Sequence, residues 1–381
     1  MTSFSRSSAL EALGAVALAA ALCGCGANDG SEELAEGRTA FAARDFQRAA
    51  KLFGKSAELA PANVDATLLL ARAQLELGNL SEAKAAVDKA QALAGGDCDV
   101  VAIAAHVAWH QKDYETARRL FTSLAGGEAY EASVRSLGWA GLGLVDMALD
   151  NRDLARLDFL RAIRLDRRNA SAWYHLGLVY RDAFGYLEVA LDQFETFVRL
   201  ADVADARVQR VQRTFIPQLK EMIAQTAANL PGASKRDSSA AAAALKQAET
   251  AWSKGVFKTA KLRYGDAFTA DPLSYPAALG LARAWEKVDS SAAGQKQALM
   301  CYRRACELRP SAVSTFVTAG TLAAKLGQHL SAVEIFSRAM AADPTNVSAV
   351  DGLIRAHRKC GNAKTADAYQ GYRNAISVRR R

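Results

Sequence analysis

The fold is decided by three similar stretches of sequence: residues 46–53 (FQRAAKLF), 80–87 (LSEAKAAV) and 114–121 (YETARRLF). Each stretch has an alanine at its fourth position. These alanines are 34 residues apart, as are three more near the other end of the chain: Ala49, Ala83 and Ala117, then Ala298, Ala332 and Ala366. A fixed period of this length is typical of stacked helix–turn–helix units. The sequence therefore predicts an all-α repeat fold.

The composition agrees with a helical repeat protein. Half of the 381 residues are hydrophobic and only 7 are proline, a balance that favours helix. The net charge of +8 would suit an anionic partner, but Arg and Lys alternate with Asp and Glu along the predicted helices. That mixture is typical of ordinary solvated faces.

The repeated positions resemble the tetratricopeptide repeat, whose pattern is W-x2-L-G-x2-Y in the first helix and A-x3-F-x2-A in the second, followed by Pro. The fullest first-helix match is Trp173, Leu176, Gly177 and Tyr180. About nine units follow this pattern in phase. The resemblance implies an all-α, right-handed superhelical solenoid of helix–turn–helix repeats in two lobes, with the first helix of each unit lining a concave groove.

The repeat series also predicts the domain organisation. We expect these segments: a signal peptide at 1–24, a lipidated tether at 25–30, a first lobe of about five repeats at 31–202, a connector helix and linker at 203–239, a second lobe of about four repeats at 240–378, and a basic tail at 379–381. Pro217 should kink or split the connector helix. The fifth unit has one extra residue, which we place in its turn, and four extra residues fall around 290–294.

The N-terminus is typical of an export signal. Arg6 precedes an apolar run at 13–22 that is too short to span a bilayer but suits a signal-peptide core. The run ends in Leu22-Cys23-Gly24-Cys25, which resembles a bacterial lipobox and predicts lipidation of Cys25. Gly26 follows that cysteine, which favours the outer over the inner membrane. The alternative is an N-terminal helix with two incidental cysteines.

The other four cysteines are predicted to be buried free thiols. Cys301 and Cys306 are five residues apart on one predicted helix, so their Cα atoms are too far apart for a disulfide. Cys98 and Cys360 lie in distant repeats. No CxxC pair supports a zinc or redox site.

Motifs for catalysis are lacking. His106 and His110 share a helix face, but the residues between them include no carboxylate, unlike the HExxH of zinc proteases. No GxSxG or Walker-type loop occurs. Gly141 and Gly143 belong to a helix-packing motif. We therefore expect no enzyme activity, cofactor, metal or small-molecule substrate.

The resemblance places a partner-binding groove on the first helices of repeats three to five. Its predicted residues are His106, Trp109, His110, Met147, Tyr174, Leu178 and Arg181. Such an apolar, aromatic surface would suit an extended peptide or a helix. The alternative is that some of these side chains only pack against the next repeat.

These features favour a non-enzymatic protein-binding scaffold, lipid-anchored in the bacterial cell envelope and facing the periplasm, that assists assembly of an envelope complex. One alternative is a soluble cytoplasmic adaptor whose apparent signal is accidental. A helical-repeat RNA binder is disfavoured, because the inward positions vary too much between repeats to form a base-reading code.

Overall fold

The structure, a computed structural model, describes residues 29–203, 205–232 and 236–377. Within these residues all regular structure is helical and no strand occurs. The predicted signal peptide, Cys25 and the tail at 379–381 lie outside the described residues. The chain divides into two compact units. The first contains the described residues up to Val179 together with Thr196–Val208, and the second contains Tyr180–Glu195 together with the described residues from Gln209 onward.

The helices follow one another in pairs. Up to residue 210 they are α1 (Ser31–Ala42), α2 (Phe46–Leu59), α3 (Val64–Leu77), α4 (Leu80–Ala94), α5 (Cys98–His110), α6 (Tyr114–Gly126), α7 (Ala132–Ala148), α8 (Arg152–Leu165), α9 (Ala170–Leu178), α10 (Leu187–Leu200) and α11 (Ala206–Arg210). From residue 216 they are α12 (Ile216–Ala228), α13 (Ser238–Ser253), α14 (Phe257–Ala270), α15 (Tyr275–Val288), α16 (Ala292–Leu308), α17 (Val313–Lys325), α18 (His329–Ala342), α19 (Val347–Lys359) and α20 (Ala363–Ser377). Two π-helical turns, Val179–Phe184 and Val211–Phe215, follow α9 and α11.

The period-defining alanines lie on the second helix of each pair. All of them are fully shielded from solvent: Ala49, Ala83, Ala117, Ala155, Ala190, Ala260, Ala298, Ala332 and Ala366. A methyl side chain lets the second helix approach the first closely, and a larger one would overpack the contact. The predicted all-α repeat fold is thereby confirmed.

Aromatic side chains fill the space between successive pairs, against glycines. The ring of Phe336 on α18 packs between Gly320 of its own repeat and Gly352 of the next. A Cβ atom at Gly320 would lie 2.9 Å from that ring, and one at Gly352 only 2.5 Å from it. Gly141 and Gly143 are equally close to Phe121 and Phe159, so the packing role predicted for both glycines is confirmed.

The turns between repeats have the chemistry that the pattern requires. In four repeats a proline lies two residues beyond the end of the second helix: Pro61, Pro272, Pro310 and Pro344. Proline cannot continue a helix there because it lacks a backbone N–H. Polar side chains then cap the next first helix. Asn63 and Asn346, for example, accept the backbone N–H groups of Ala66 and Ala349, which would otherwise lack partners.

The extra residue of the fifth repeat lies in the first helix instead of the turn. The period stretches by one residue between Ala155 and Ala190, and a π-helical turn occupies Val179–Phe184 just before α10. A π-helical turn holds one more residue than an α-helical turn. It therefore absorbs the insertion, and our placement of that residue in the turn was wrong.

The connector helix also contains a π-helical turn, just before Pro217. The backbone N–H of Ile216 donates to the carbonyl of Val211, five residues earlier, so a π-helical turn precedes the proline at the start of α12. The change in hydrogen-bond pattern falls where proline removes a donor. The connector is not split there, because helical residues continue without a gap from Ala206 to Ala228, and the π-helical turn marks where proline changes the hydrogen-bond pattern. The four extra residues near 290–294 mainly lengthen the start of α16.

Buried charges connect three helices of the first unit. Arg118 on α6 donates two hydrogen bonds to Asp146 on α7, at 2.7 and 3.3 Å. Asn151 donates a third at 3.0 Å. Asp158 on α8 accepts a hydrogen bond from Arg161 at 2.8 Å, and its protonated carboxyl group donates one to Asp146. Burial, opposed by Arg161 and reinforced by Asp146, raises the pKa of Asp158 to about 7.

Cys301 and Cys306 both lie on α16, as predicted, and both thiols are free. Burial raises the pKa of Cys301 to about 11 and that of Cys306 to about 12. The full burial expected for all four cysteines holds for Cys306, whereas Cys98, Cys301 and Cys360 are half-buried.

Candidate functional site

The candidate groove of the first unit is built on the first helices α3, α5, α7 and α9. We use the term inner face for three positions of each first helix. They lie seven, eight and eleven residues before the period-defining alanine of the same repeat, and inserted residues are not counted. On α5 they are His110, Trp109 and His106. The same side of a helix is presented at this spacing, so the inner face continues from repeat to repeat.

His106 is half-buried and meets the ring of Phe121 edge-on, with centroids 5.2 Å apart. Burial, together with the positive potential of His110 and Arg72, lowers the pKa of His106 to about 4. Its imidazole is therefore neutral at physiological pH, with one donor and one acceptor nitrogen.

Trp109 and His110 occupy the last turn of α5. Their rings meet edge-on with centroids 4.9 Å apart. Trp109 is half-buried against the core shared by α5, α6 and α7. Its indole Nε1 is shielded from solvent and has no hydrogen-bond partner among the described residues. His110 is exposed, although partial burial lowers its pKa, with Glu76 opposing that shift.

Met147 on α7 and Leu178 on α9 are both half-buried and lie on the same side of their helices as Trp109. Each keeps apolar surface open to solvent. With Trp109 they give an apolar inner face that extends over three successive first helices. These three apolar residues of the predicted groove remain partly accessible, as do His106 and His110.

Tyr174 is a core residue, contrary to the expectation of an accessible anchor. It is 8% exposed. Its ring contacts Phe197 at 5.1 Å between centroids, and the guanidinium of Arg207 lies 5.3 Å from the ring centroid. Helical phase gave the direction of the Tyr174 side chain but not the approach of Phe197 and Arg207, which cover it.

Arg181 belongs to the second unit and is already engaged there. Its guanidinium forms a two-pronged ion pair with Asp182, at 2.5 and 2.8 Å. It also lies 4.0 Å from the centroid of the Phe215 ring. A side chain held in this way would have to give up existing contacts to bind a partner.

Sequence reasoning missed His175 as a polar member of the first unit. It stacks on Phe159 at 5.6 Å, and its Nδ1 lies 2.8 Å from the Ser171 carbonyl oxygen and 3.3 Å from the Ser171 hydroxyl. Burial lowers its pKa to about 4. The four-residue spacing of Ser171 and His175 on one helix was the available signal.

Nothing in the described part of the chain points to catalysis. Among these residues, His106 and His110 belong to no group of three nitrogen, sulfur or carboxylate ligand atoms that all lie within 4.8 Å of one another. The group there whose ligand atoms lie within 4.8 Å of one another is Asp97, Cys98 and Asp99. Asp97 caps α5, and its carboxylate accepts the Asp99 backbone N–H at 2.8 Å. In the same residues no helix combines the length and the apolarity needed to cross a bilayer.

Comparison with known proteins agrees with this architecture. Residues 40–107 match the family model described as tetratricopeptide repeat. No curated protein has detectable sequence similarity to this chain. The match lies over α2 to α5 and includes the first of the 34-residue intervals from which the fold was predicted.

Several solved structures are similar to this chain. A thermophilic tetratricopeptide-repeat protein of Thermus thermophilus shares 19% identity over 49% of this chain and 99% of its own, with a TM-score of 0.43. PilF of Pseudomonas aeruginosa shares 17% identity over 66% of this chain and 95% of its own, with a TM-score of 0.38. The Cut9–Hcn1 hetero-tetramer of the APC/C shares 14% identity over 92% of this chain and 80% of its own, with a TM-score of 0.35.

The family match identifies tetratricopeptide repeats over residues 40–107, and helix pairs of the same kind occur in both units of the described chain. This class of repeat is generally a non-enzymatic scaffold for protein–protein interaction. Within each unit the stacked helix pairs form a continuous surface, and function resides in the residues that surface presents.

Proposed function

We propose that this chain is a scaffold that binds a polypeptide partner along the inner face of its first unit. We further propose that a lipid on Cys25 holds it in the bacterial cell envelope, facing the periplasm, where it assists assembly of an envelope complex. The outer membrane is the favoured location because Gly26 follows Cys25.

The observation that carries the binding proposal is the accessible apolar surface of three successive first helices. Trp109, Met147 and Leu178 are half-buried residues at the inner face of α5, α7 and the end of α9. The neutral imidazole of His106 adds a donor and an acceptor nitrogen beside them. Apolar anchors flanked by a few polar groups suit an extended peptide or an amphipathic helix.

The anchoring proposal rests on the sequence from Leu22 to Cys25 after an apolar segment of signal-peptide length. Acylation would fix the repeats to a membrane leaflet and raise the local concentration of a partner there. We would express the full chain and Cys25→Ser, label with a fatty-acid analogue and separate membranes from soluble protein. Loss of both label and membrane association is expected. Equal membrane association and labelling would contradict lipidation, and a soluble cytoplasmic wild-type protein would support the adaptor alternative.

Partner binding is tested by crosslinked recovery from cells that express the full chain. Trp109→Ala combined with Met147→Ala should reduce partner recovery strongly, because aromatic and apolar anchors at an interface centre often contribute about 2 kcal/mol each. The matched control is Leu59→Ala with Leu93→Ala, two exposed apolar residues on second helices of the same unit. Native circular dichroism with equal recovery in both variants would show that the inner face of the first unit is not the site.

A further inference from the structure

The second unit has a different inner face, marked by a row of lysines. Lys325 and Lys359 lie seven positions before their period-defining alanines, in the last turn of α17 and α19. Lys287 takes the same position on α15 once the four-residue insertion before Ala298 is allowed for. All three lysines are exposed. In the described part of the chain, no carboxylate lies within ion-pair distance of any of them.

A second row lies one helical turn earlier on the same three helices, formed by Arg283, Thr321 and Arg355. All three are exposed, and neither arginine forms an ion pair with a described residue. The acidic residues on this side are fewer. Asp351 is paired with Arg373 at 3.2 Å and Glu286 is exposed on α15, so positive side chains outnumber negative ones on this surface.

A cavity of about 330 Å³ lies between α15 and α17 beside these rows. It is lined by Lys325, Thr318, Thr321 and Glu286, among others. The hydroxyl of Thr318 donates to the Ser314 carbonyl at 3.0 Å, and that of Thr321 to the Val317 carbonyl at 2.8 Å. Each threonine oxygen therefore offers lone pairs to an incoming donor. Glu286 accepts the Tyr302 hydroxyl at 2.5 Å and adds further acceptor oxygens.

We propose that the inner face of α15, α17 and α19 binds an acidic polypeptide segment. The lysine and arginine rows pair with side-chain carboxylates of the partner, and the cavity receives its backbone N–H groups. This combination favours a polypeptide over a nucleic acid or a lipid surface. A phosphodiester backbone carries no N–H groups that could donate to the threonine and Glu286 oxygens of the cavity. The surface is separate from the groove proposed for the first unit, and its function does not depend on a lipid anchor.

The test measures binding of the full chain to a fluorescein-labelled peptide of alternating Glu and Gly, by fluorescence anisotropy at low salt. The Lys287→Gln, Lys325→Gln, Lys359→Gln triple variant should weaken binding about tenfold, since it removes three exposed ion pairs. A peptide of alternating Gln and Gly should not bind. Binding should weaken with added salt, because these charges are open to screening.

The matched control is a triple variant of three exposed lysines elsewhere in the second unit: Lys254→Gln, Lys258→Gln and Lys364→Gln. It removes the same net charge, so it should keep wild-type affinity within about twofold if the rows act as a site. Both variants should show native circular dichroism. Equal losses of affinity in the two triple variants would overturn the proposal, because binding would then follow total charge.

A competition experiment tests the choice of partner. Displacement of the peptide by a single-stranded oligonucleotide or anionic vesicles more readily than by unlabelled peptide would overturn that choice.

Discussion

The two units use the same packing rule and present different chemistry at the same repeat positions. In both, a fully buried alanine and an aromatic ring on the second helix pack against small residues on the first. Seven positions before that alanine, the first unit has His110 on α5, whereas the second has Lys325 and Lys359 on α17 and α19. The residues that build the stack are thus separable from those that face a partner, and the comparison identifies which are which.

The largest expected effect tests the shared packing rule. Phe121→Ala on α6 and Phe336→Ala on α18 each remove a ring that is 1% exposed. Each should lower the free energy of unfolding of its own unit by about 3–5 kcal/mol, from lost burial and the cavity left behind. Urea denaturation followed by circular dichroism would measure this. The controls are Leu93→Ala and Leu262→Ala, at 45% and 60% exposure. A phenylalanine variant no less stable than its control would break the comparison.

A smaller effect is expected from glycine, and its sign should depend on position. Gly352→Ala places a Cβ 2.5 Å from the Phe336 ring, so overpacking should cost about 1–3 kcal/mol. Gly54 lies within α2, and a Cβ atom added there would have no neighbouring atom within 4 Å. Gly54→Ala should therefore stabilise the first unit by up to about 1 kcal/mol, through helix propensity. Thermal melts of both variants measure the contrast. If both alanines changed stability in the same direction, close approach of Phe336 would not be the cause.

The buried carboxyl pair gives the first unit a pH dependence of its own. Because the pKa of Asp158 is raised to about 7, the folded state holds its proton between about pH 4 and 7, where the unfolded chain has lost it. Its contribution to stability is therefore full below about pH 4 and declines as pH rises to about 7. Asp158→Asn mimics the protonated form, so the stability advantage of this variant over the wild type should grow by about 4 kcal/mol between pH 4 and pH 8.

Unfolding free energies of wild type and Asp158→Asn at several pH values would check this. The histidines act in the opposite direction. His106 and His175 have pKa values lowered to about 4, so their contribution is present above about pH 6.5 and declines as pH falls toward 4. Because both chains retain these histidines, the difference between them isolates Asp158. A difference independent of pH would show that Asp158 is ionised throughout this range.

The smallest effect is expected at the inner faces themselves. His110→Gln and Lys325→Gln replace exposed residues at the same repeat position of the two units. Each should change unfolding free energy by less than about 0.5 kcal/mol, as is usual for surface substitutions. Chemical denaturation of both variants is the measurement. A loss above about 1 kcal/mol at either position would mean that this residue supports the stack instead of facing a partner.

The parts of the fold that depend on periodic packing were predictable from the sequence. The buried alanines, the prolines after second helices and the packing glycines each have one physical role, so a repeated residue identifies a repeated environment. Accessibility was less predictable. Phase placed Tyr174 with Trp109, but Phe197 on α10 and Arg207 on α11 cover Tyr174. Asp146 and Asp158 read as ordinary surface charges, because their shared hydrogen bond depends on how α7 and α8 pack. The lysine row follows the repeat period, yet the insertion before Ala298 obscures the position of Lys287.

The π-helical turn at Val179–Phe184 has a consequence for the history and engineering of this chain. A single added residue in a repeat array would ordinarily rotate everything after it by about 100° around the helix axis, exposing the packing side and burying the polar side. By widening one turn the backbone cancels that rotation within a few residues, and Ala190 and Phe194 still reach the buried positions of their repeat. The fifth repeat therefore accommodates an inserted residue without a change in the packing of the helix that follows. Deleting one residue from the turn should return the segment to regular α-helix and restore the uniform spacing of its neighbours, whereas the same deletion inside α10 would put its packing face out of step.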